Sequence, residues 1–410
     1  MTPWLKSQDI GAREWKTLFA AQLGWMLDGM DVMLYAFALT TIQKEFGLTS
    51  AMAGALASYT LLTSALGGTL AGYFADRYGR ARVLVWSILV YSVFTGITAT
   101  SRTLWELALW RALVGIGLGA EWSAGSVLVA ETWPARHRGK AIGLVQSGWA
   151  IGYTLAAGLA ALVLPRFGWR WLFVAGTLPA LIAFWIRRDI EEPEIWKRAR
   201  QGPKRSLASI LAELARPPLV GRALIVTAVC SLVLFAYWGL FTWIPAYLAS
   251  PTERGGAGLG IVRSFGWVAA VQAGSFLGYM TCGYISDRVG RRSAFLLFTL
   301  GAAVIVPFYA RPHAPAVLLA LGPLIGFFGH GYFSIFGAML SEMFPSGIRG
   351  TAQGLCYNFG RGVSALAPIA IGAMADRSGI AAGLALTSGF FAAGGLLVLL
   401  LPETKGDELT

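Results

Sequence analysis

Charge is what this chain has least of. Only 13% of its 410 residues are Asp, Glu, Lys or Arg, against about a quarter in soluble domains. That excludes a water-facing globule of this length. Cysteine is nearly missing as well. Cys230, Cys282 and Cys356 all lie in apolar runs without paired spacing, so neither a disulfide framework nor a metal role is expected. The three histidines, His137, His313 and His330, share no ligand spacing, and no Ser or Cys has a nearby base. The expectation is no metal, no cofactor and no enzyme. No loop is large enough to hide a soluble domain.

What is present is apolar. Hydrophobic residues make up 56% of the chain, with 51 Gly and 16 Trp. Stretches of roughly 20 residues, long enough to span a bilayer, recur near 17–40, 54–75, 83–100, 105–130, 140–163, 170–187, 222–248, 263–285, 294–310, 315–341, 350–374 and 380–401. Only helices satisfy their own backbone in lipid this way, so twelve transmembrane helices are expected in an all-α membrane protein. The polar first sixteen residues precede a run too long and too acidic for a cleaved signal peptide, so it is expected to stay as helix 1.

The net charge of +12 invites a nucleic-acid partner, but its placement argues for a membrane. With the N-terminus in the cytoplasm, the inside segments hold 23 Lys and Arg and the outside segments 8. This bias follows the positive-inside rule and puts both termini in the cytoplasm, the excess base facing anionic lipid headgroups.

The chain is also built twice. Gly72-Tyr73-Phe74-Ala75-Asp76-Arg77-Tyr78-Gly79-Arg80 returns as Gly283-Tyr284-Ile285-Ser286-Asp287-Arg288-Val289-Gly290-Arg291, and Glu131-Thr132-Trp133-Pro134 with Arg138 returns as Glu342-Met343-Phe344-Pro345 with Arg349, every offset being 211. Two polar motifs kept in register between apolar runs are the layout of a secondary transporter. The organisation expected is a six-helix bundle over 1–187, a cytoplasmic linker over 188–221 and a second six-helix bundle over 222–410. Ser206 to Leu214 has the amphipathic spacing of a short interfacial helix. Asp76, Arg77 and Arg80, matched by Asp287, Arg288 and Arg291, are candidate gate residues. So are Glu131 and Arg138 with Glu342 and Arg349. An Asp at a helix C-terminus is badly placed for the helix dipole and wants a cation nearby, and a pair that forms when one side shuts is a gate. Unpaired topogenic loop charge is the alternative, which the second copy disfavours.

These Asp-Arg-x-Gly-Arg loops, with twelve spans, resemble the major facilitator superfamily over the whole chain. Pro402-Glu403-Thr404-Lys405-Gly406 is similar to its sugar-porter-type ending, and Glu192-Pro193-Glu194 resembles a weaker counterpart.

Ionisable groups inside the spans cost about 2.5–3.5 kcal/mol each on insertion scales, which makes them functional candidates. Asp28 and Asp31 share a face of helix 1 with Tyr35 a turn further. Two carboxylates this close do not both ionise readily, which suits a proton carrier; solvated charges at a wet helix end are the alternative. Helix 4 carries Arg111 and Glu121 among glycines. Arg111 is near enough to one end to snorkel, whereas Glu121 is near mid-span. Arg361 lies in Tyr357-Asn358-Phe359-Gly360-Arg361 of helix 11, and its planar fork beside a phenol and an amide suits a carboxylate. A permanent ion pair with the other half is the alternative. Gln146 joins Tyr35, Tyr357, Asn358 and Arg361 as a candidate substrate contact. Ser147, Tyr237, Gln272, His330 and Tyr332 are weaker cavity candidates, and the aromatics are read mostly as interfacial anchors.

Asp28-Gly29-Met30-Asp31 resembles the helix-1 element of the aromatic-acid:proton and sialate/lactate:proton symporters. Gly119-Ala120-Glu121-Trp122, Trp15-Lys16, Glu45-Phe46-Gly47-Leu48-Thr49 and Phe167-Gly168-Trp169-Arg170 are closer to the second branch. So is Glu131-Thr132-Trp133-Pro134 with the Val129 and Ala130 before it. The resemblance implies a monomeric symporter of a small organic acid anion and protons in a bacterial inner membrane. It carries coupling to Asp28, Asp31, Arg111 and Glu121, and anion recognition to Arg361. A proton-coupled drug or metabolite exporter is the rival, but its apolar cavity would have no use for Arg361.

Overall fold

Long apolar runs become helices, and in the first half several start or stop where the sequence supplies a cap. The computed structural model describes residues 10–178, 192, 207–311, 314–345 and 348–405. In the first half these are α1 (Ala12–Phe46), α2 (Ser50–Tyr78), α3 (Arg80–Thr98), α4 (Leu104–Thr132) and α5 (Ala135–Ala175). Gly47 ends α1 in the left-handed conformation, Thr49 caps α2 and Thr103 caps α4. α5 passes Pro165 and turns at Gly168 (φ 78°), so it holds the fifth span and the start of the sixth. The rest of that predicted span and the linker to 206 lie outside the described residues, Glu192 excepted.

The short α6 (Leu207–Leu214) lies where the amphipathic spacing puts it. Then come α7 (Leu219–Phe241) and α8 (Ile244–Ala249), which share the seventh span, and α9 (Gly260–Val289) and α10 (Arg291–Tyr309). α11 (Pro315–Gly331) with α12 (Phe333–Met343) makes the tenth span, α13 (Arg349–Ser364) with α14 (Leu366–Ser378) the eleventh, and α15 (Ile380–Leu397) the last. The architecture is thus all-α, two bundles of six. Among the described residues, six helices are long and apolar enough to cross a membrane on length and composition alone. α1 and α4 match them in length but carry buried Asp28, Asp31, Arg111 and Glu121. The chain is an integral membrane protein.

The repeat is present in the backbone. Left-handed or otherwise positive φ falls at Gly47 and Gly258 (64° and 69°), Gly79 and Gly290 (116° and 99°), and Gly168 and Gly379 (78° and 83°). Each pair is 211 residues apart. α3 and α10 have the same 19-residue length and begin at the same register. A third pair joins them. Glu192 accepts from the backbone N–H of Arg80 (2.7 Å), Ala81 (3.3 Å) and Arg82 (3.2 Å). Glu403 accepts from those of Arg291 (2.7 Å) and Arg292 (3.1 Å). Each carboxylate satisfies orphan donors at the positive end of a helix dipole. These two caps lie on the basic face, which carries the duplicated loops.

Glycine sets the close approaches inside a bundle. A Cβ on Gly119 would meet the Ser64 carbonyl of α2 at 1.9 Å, and one on Gly152 of α5 the Met26 carbonyl of α1 at 1.8 Å. At the basic face Trp133 packs edge-on against Trp15 (5.3 Å) and donates to the Glu14 carbonyl (3.0 Å). At the opposite face Glu45 takes a hydrogen bond from Trp169 (2.6 Å) and pairs with Arg170 (2.7 Å). Four of the sequence motifs thus meet in two pairs, one at each end of α1.

Loss of a charged helix cap is measurable. Glu192→Ala and Glu403→Ala are each expected to destabilise the protein by ~1–2 kcal/mol, with near-additive effects in the double variant. Thermal unfolding in detergent reads this; an unchanged midpoint in both single variants would show that the caps are dispensable.

Candidate functional site

α1, α4 and α13 bring five ionisable side chains to the centre of the molecule. Asp28 and Asp31 are 0% exposed, Arg111 1%, Glu121 2% and Arg361 3%. Their burial follows from backbone choices around them. Gly24 on α1 leaves room for the Glu121 carboxylate, whose oxygen would lie 2.2 Å from an added Cβ. Gly29 lets the Trp149 indole of α5 lie against the α1 backbone between the two aspartates, 3.1 Å from where a Cβ would be.

Few of these charges are paired. Arg111 Nη1 is 4.0 Å from Asp31 Oδ2, and its guanidinium sits 5.3 Å from the Tyr35 ring and 5.8 Å from the Phe173 ring. Arg111 therefore stays in the bundle and does not snorkel. Among the described residues, the oxygens of Asp28 make no hydrogen bond, and those of Glu121 face the Tyr91 hydroxyl without closing one. Arg361 faces Asp28 from the other half, close enough for its charge to act on that carboxylate, yet among the described residues it makes no ion pair and its Nε has no partner. Its guanidinium stands 5.9 Å from the Trp238 ring of α7.

Arg361, Arg111, Tyr35, Trp238 and Thr242 line a cavity of about 20 Å³ between the halves. That holds about one water. The halves close on both sides of it. On the basic side Tyr357 stacks on Trp122 (4.1 Å, 17°), and Asn358 packs on Gly68 while donating to the Gly354 carbonyl (3.0 Å). On the opposite side Asp376 accepts from the N–H groups of Ser50 and Ala51, both at 3.0 Å, and Tyr153 donates to the Phe241 carbonyl at 2.8 Å.

The sequence-predicted residues thus divide. Asp28, Asp31, Arg111, Glu121 and Arg361 come together. Tyr35 contributes its ring to the cavity wall while its hydroxyl donates to the Ala53 carbonyl (2.7 Å). Tyr357 and Asn358 stand in the seam between halves, and Gln146 is buried on α5. Of the weaker candidates, His330 lies between Ser275 (3.0 Å) and Tyr237 (3.3 Å) against Phe241, a packed and partnered ring. Gln272 is buried, and among the described residues neither of its amide atoms has a partner. Among the gate candidates, the side chains of Asp76, Arg77, Glu131, Arg138, Asp287 and Arg349 lie outside the described residues. Arg80 donates to the Ala75 carbonyl (3.0 Å), and Arg288 accepts from Lys405 through its carbonyl (2.7 Å). Arg291 donates to Ser286 (2.7 Å) and pairs with Glu342 (3.5 Å), which also accepts from Thr404 (2.5 Å). Three motifs of the second half meet there.

Sequence reasoning missed Trp25, Trp149 and Trp238. Trp25 and Trp149 are in ring contact at 4.9 Å, and Trp149 meets Trp238 across the halves at 5.9 Å. Inside long apolar runs a mid-span tryptophan looks like any anchor, so only the Trp25-to-Asp28 spacing of one helical turn hinted at them.

The pairing predicts opposite outcomes for the two aspartates. Asp31→Asn leaves Arg111 buried without its counter-ion and is expected to cost about 3–5 kcal/mol. Asp28→Asn removes a carboxylate that has no hydrogen bond and is expected to be neutral or stabilising. Equal melting shifts in detergent would contradict this assignment.

The family model for the Major Facilitator Superfamily matches residues 23–262 and 258–409. A probable 4-methylmuconolactone transporter of Cupriavidus pinatubonensis is 35% identical over 99% of this chain and 94% of its own. A cis,cis-muconate transport protein of Acinetobacter baylyi is 30% identical over 97% of both. The sialic acid transporter NanX of Escherichia coli is 28% identical over 98% of this chain and 96% of its own. Among solved structures, the proton:xylose symporter XylE superposes with a TM-score of 0.71 at 19% identity, covering 97% of this chain and 98% of that one.

Proposed function

The chain belongs to the Major Facilitator Superfamily, and on that premise we propose that it is a proton-coupled symporter of a small organic acid anion working by alternating access. Transport of organic acids is the common theme of the relatives, whose names include muconate and sialic acid. The observation that carries the anion site is Arg361, a cation 3% exposed, with no ion pair among the described residues, facing a cavity between the halves. A buried guanidinium left in this condition is costly unless a carboxylate arrives to share its fork. An exporter of cationic or apolar compounds has no use for it.

Charge counting supports the proton. Among the described residues the site holds three carboxylates, Asp28, Asp31 and Glu121, and two guanidiniums, Arg111 and Arg361. Uncharged in its empty form, it carries one proton; uncharged with a monoanion seated, it carries two. A low dielectric favours both neutral forms. One proton therefore enters with each monoanion and no net charge moves. The cytoplasm is assigned to the basic face, with Arg80 and Arg291 in the inner gate region, both termini inside and the membrane a bacterial inner membrane.

The test is direct. Arg361→Lys keeps charge but loses the planar fork, so carboxylate binding to purified protein should weaken ~5- to 150-fold, about 1–3 kcal/mol; Arg361→Ala should abolish it. Undiminished binding by the Ala variant would make Arg361 a structural residue and remove the main support. In liposomes, a pH gradient should drive accumulation of a monocarboxylate and a membrane potential alone should not. Asp28→Asn should keep anion exchange and lose pH-driven accumulation if Asp28 carries the proton. Accumulation driven by potential alone would refute one-for-one coupling.

A further inference from the structure

Seven tryptophans are buried among the described residues; Trp122 stacks on Tyr357, and the other six fall into two groups. Trp133, Trp169 and Trp243 fasten helix to helix, and each indole N–H donates to a named acceptor: the Glu14 carbonyl (3.0 Å), the Glu45 carboxylate (2.6 Å) and the Pro368 carbonyl (3.1 Å). Trp25, Trp149 and Trp238 do not. All three are more than nine-tenths buried, and among the described residues none of the three indole N–H groups has a partner. They are also the three that touch one another, forming a wall from α1 through α5 to α7. Leaving a buried donor unmade is unfavourable, and three in one contiguous wall is not packing accident. The Trp149 to Trp238 contact crosses between the halves, so the wall opens where the halves part. Its far end, Trp238, lines the cavity and faces Arg361.

Resting on the anion site at Arg361, we propose that the cargo is a planar, conjugated acid with two carboxylates, one held by Arg361 and the second accepting from the indole N–H groups of this wall. Indole nitrogen donates and never accepts, so its partner is an acceptor oxygen. The broad aromatic faces match a flat π system better than a puckered or flexible body. The carboxylate inventory agrees. A neutral site with a monoanion leaves one of Asp28, Asp31 and Glu121 charged, whereas a dianion brings protons to all three and uses the whole set.

Four probes separate planarity from the second carboxylate: terephthalate, benzoate, cyclohexane-1,4-dicarboxylate and cyclohexanecarboxylate. Each is titrated against the purified full chain and against Trp149→Phe, Trp238→Phe and Arg361→Ala. The expected result is that terephthalate binds the parent about tenfold or more tighter than any other probe, the loss of one charge-assisted hydrogen bond. Trp238→Phe or Trp149→Phe, which keep the ring and lose the donor, should erase most of the advantage of terephthalate over benzoate, terephthalate losing several-fold more affinity than benzoate in the same variant. Proteoliposome flux should show two protons per terephthalate and one per benzoate. Equal affinity for all four probes overturns the inference, as does an equal loss for all probes in both Phe variants, or no binding of any probe. If the acids bind alike and Arg361→Ala loses them all, the anion site stands and only the wall assignment falls. If the Ala variant retains binding, the anion site itself falls.

Discussion

Everything distinctive here follows from ionisable groups held where water cannot reach them. Asp28, Asp31, Glu121, Arg111 and Arg361 together occupy the centre of an apolar bundle, and among the described residues a single ion pair at 4.0 Å, Arg111 with Asp31, joins them directly. Isolated charges in such surroundings neutralise, pair or move. An odd balance of three acids against two bases cannot be settled by pairing alone. The proposed coupling of anion to proton rests on this imbalance, which also makes the site expensive to build.

The scaffold is symmetric and the chemistry is not. Three pairs of positive-φ glycines, the starts of α3 and α10 and the capping carboxylates Glu192 and Glu403 repeat at an interval of 211 residues. At that interval Asp28 corresponds to Gly239, Arg111 to Gly322, Glu121 to Tyr332 and Arg361 to Ala150. These backbone devices are kept in both copies. The acids and Arg111 are concentrated in the first half, with Arg361 alone across the cavity. A dipolar site straddling the plane between halves responds to their relative position, which a site within either half would not.

Much of this was legible in the residues. The twelve apolar runs, the duplicated loops and the buried charges could be read because each violates what a soluble chain would show: too little charge overall, and charge where a span should have none. The amphipathic spacing before Leu214 also found α6. What was not legible depends on contacts between distant segments. Nothing local told that Glu192 and Glu403 would reach helix N-termini more than a hundred residues earlier. Proximity in sequence grouped Tyr357 and Asn358 with Arg361, but α13 turns them to the seam, against Trp122 and Gly68. The tryptophan wall was hidden for a different reason. An indole is apolar in composition and polar at one atom, so its meaning depends on whether that atom finds an acceptor.

Closure of the halves explains why the unsatisfied groups cluster at one place. Both ends of the seam are well served: Tyr357 on Trp122 at one, Asp376 on the α2 N-terminus and Tyr153 on the Phe241 carbonyl at the other. Between them lie Asp28, Glu121, Arg361 Nε and three indole donors that have no hydrogen-bond partner among the described residues, around a cavity of about 20 Å³. Closed in this way, the described residues are well bonded at the rims and underbonded at the centre. Opening either rim costs contacts and admits water or substrate to groups that need partners, and the two effects offset one another. A ligand that satisfies the centre stabilises the shut form beyond what the rims alone provide. Such a ligand makes closure favourable when loaded, which is the condition that carrying cargo across a membrane requires.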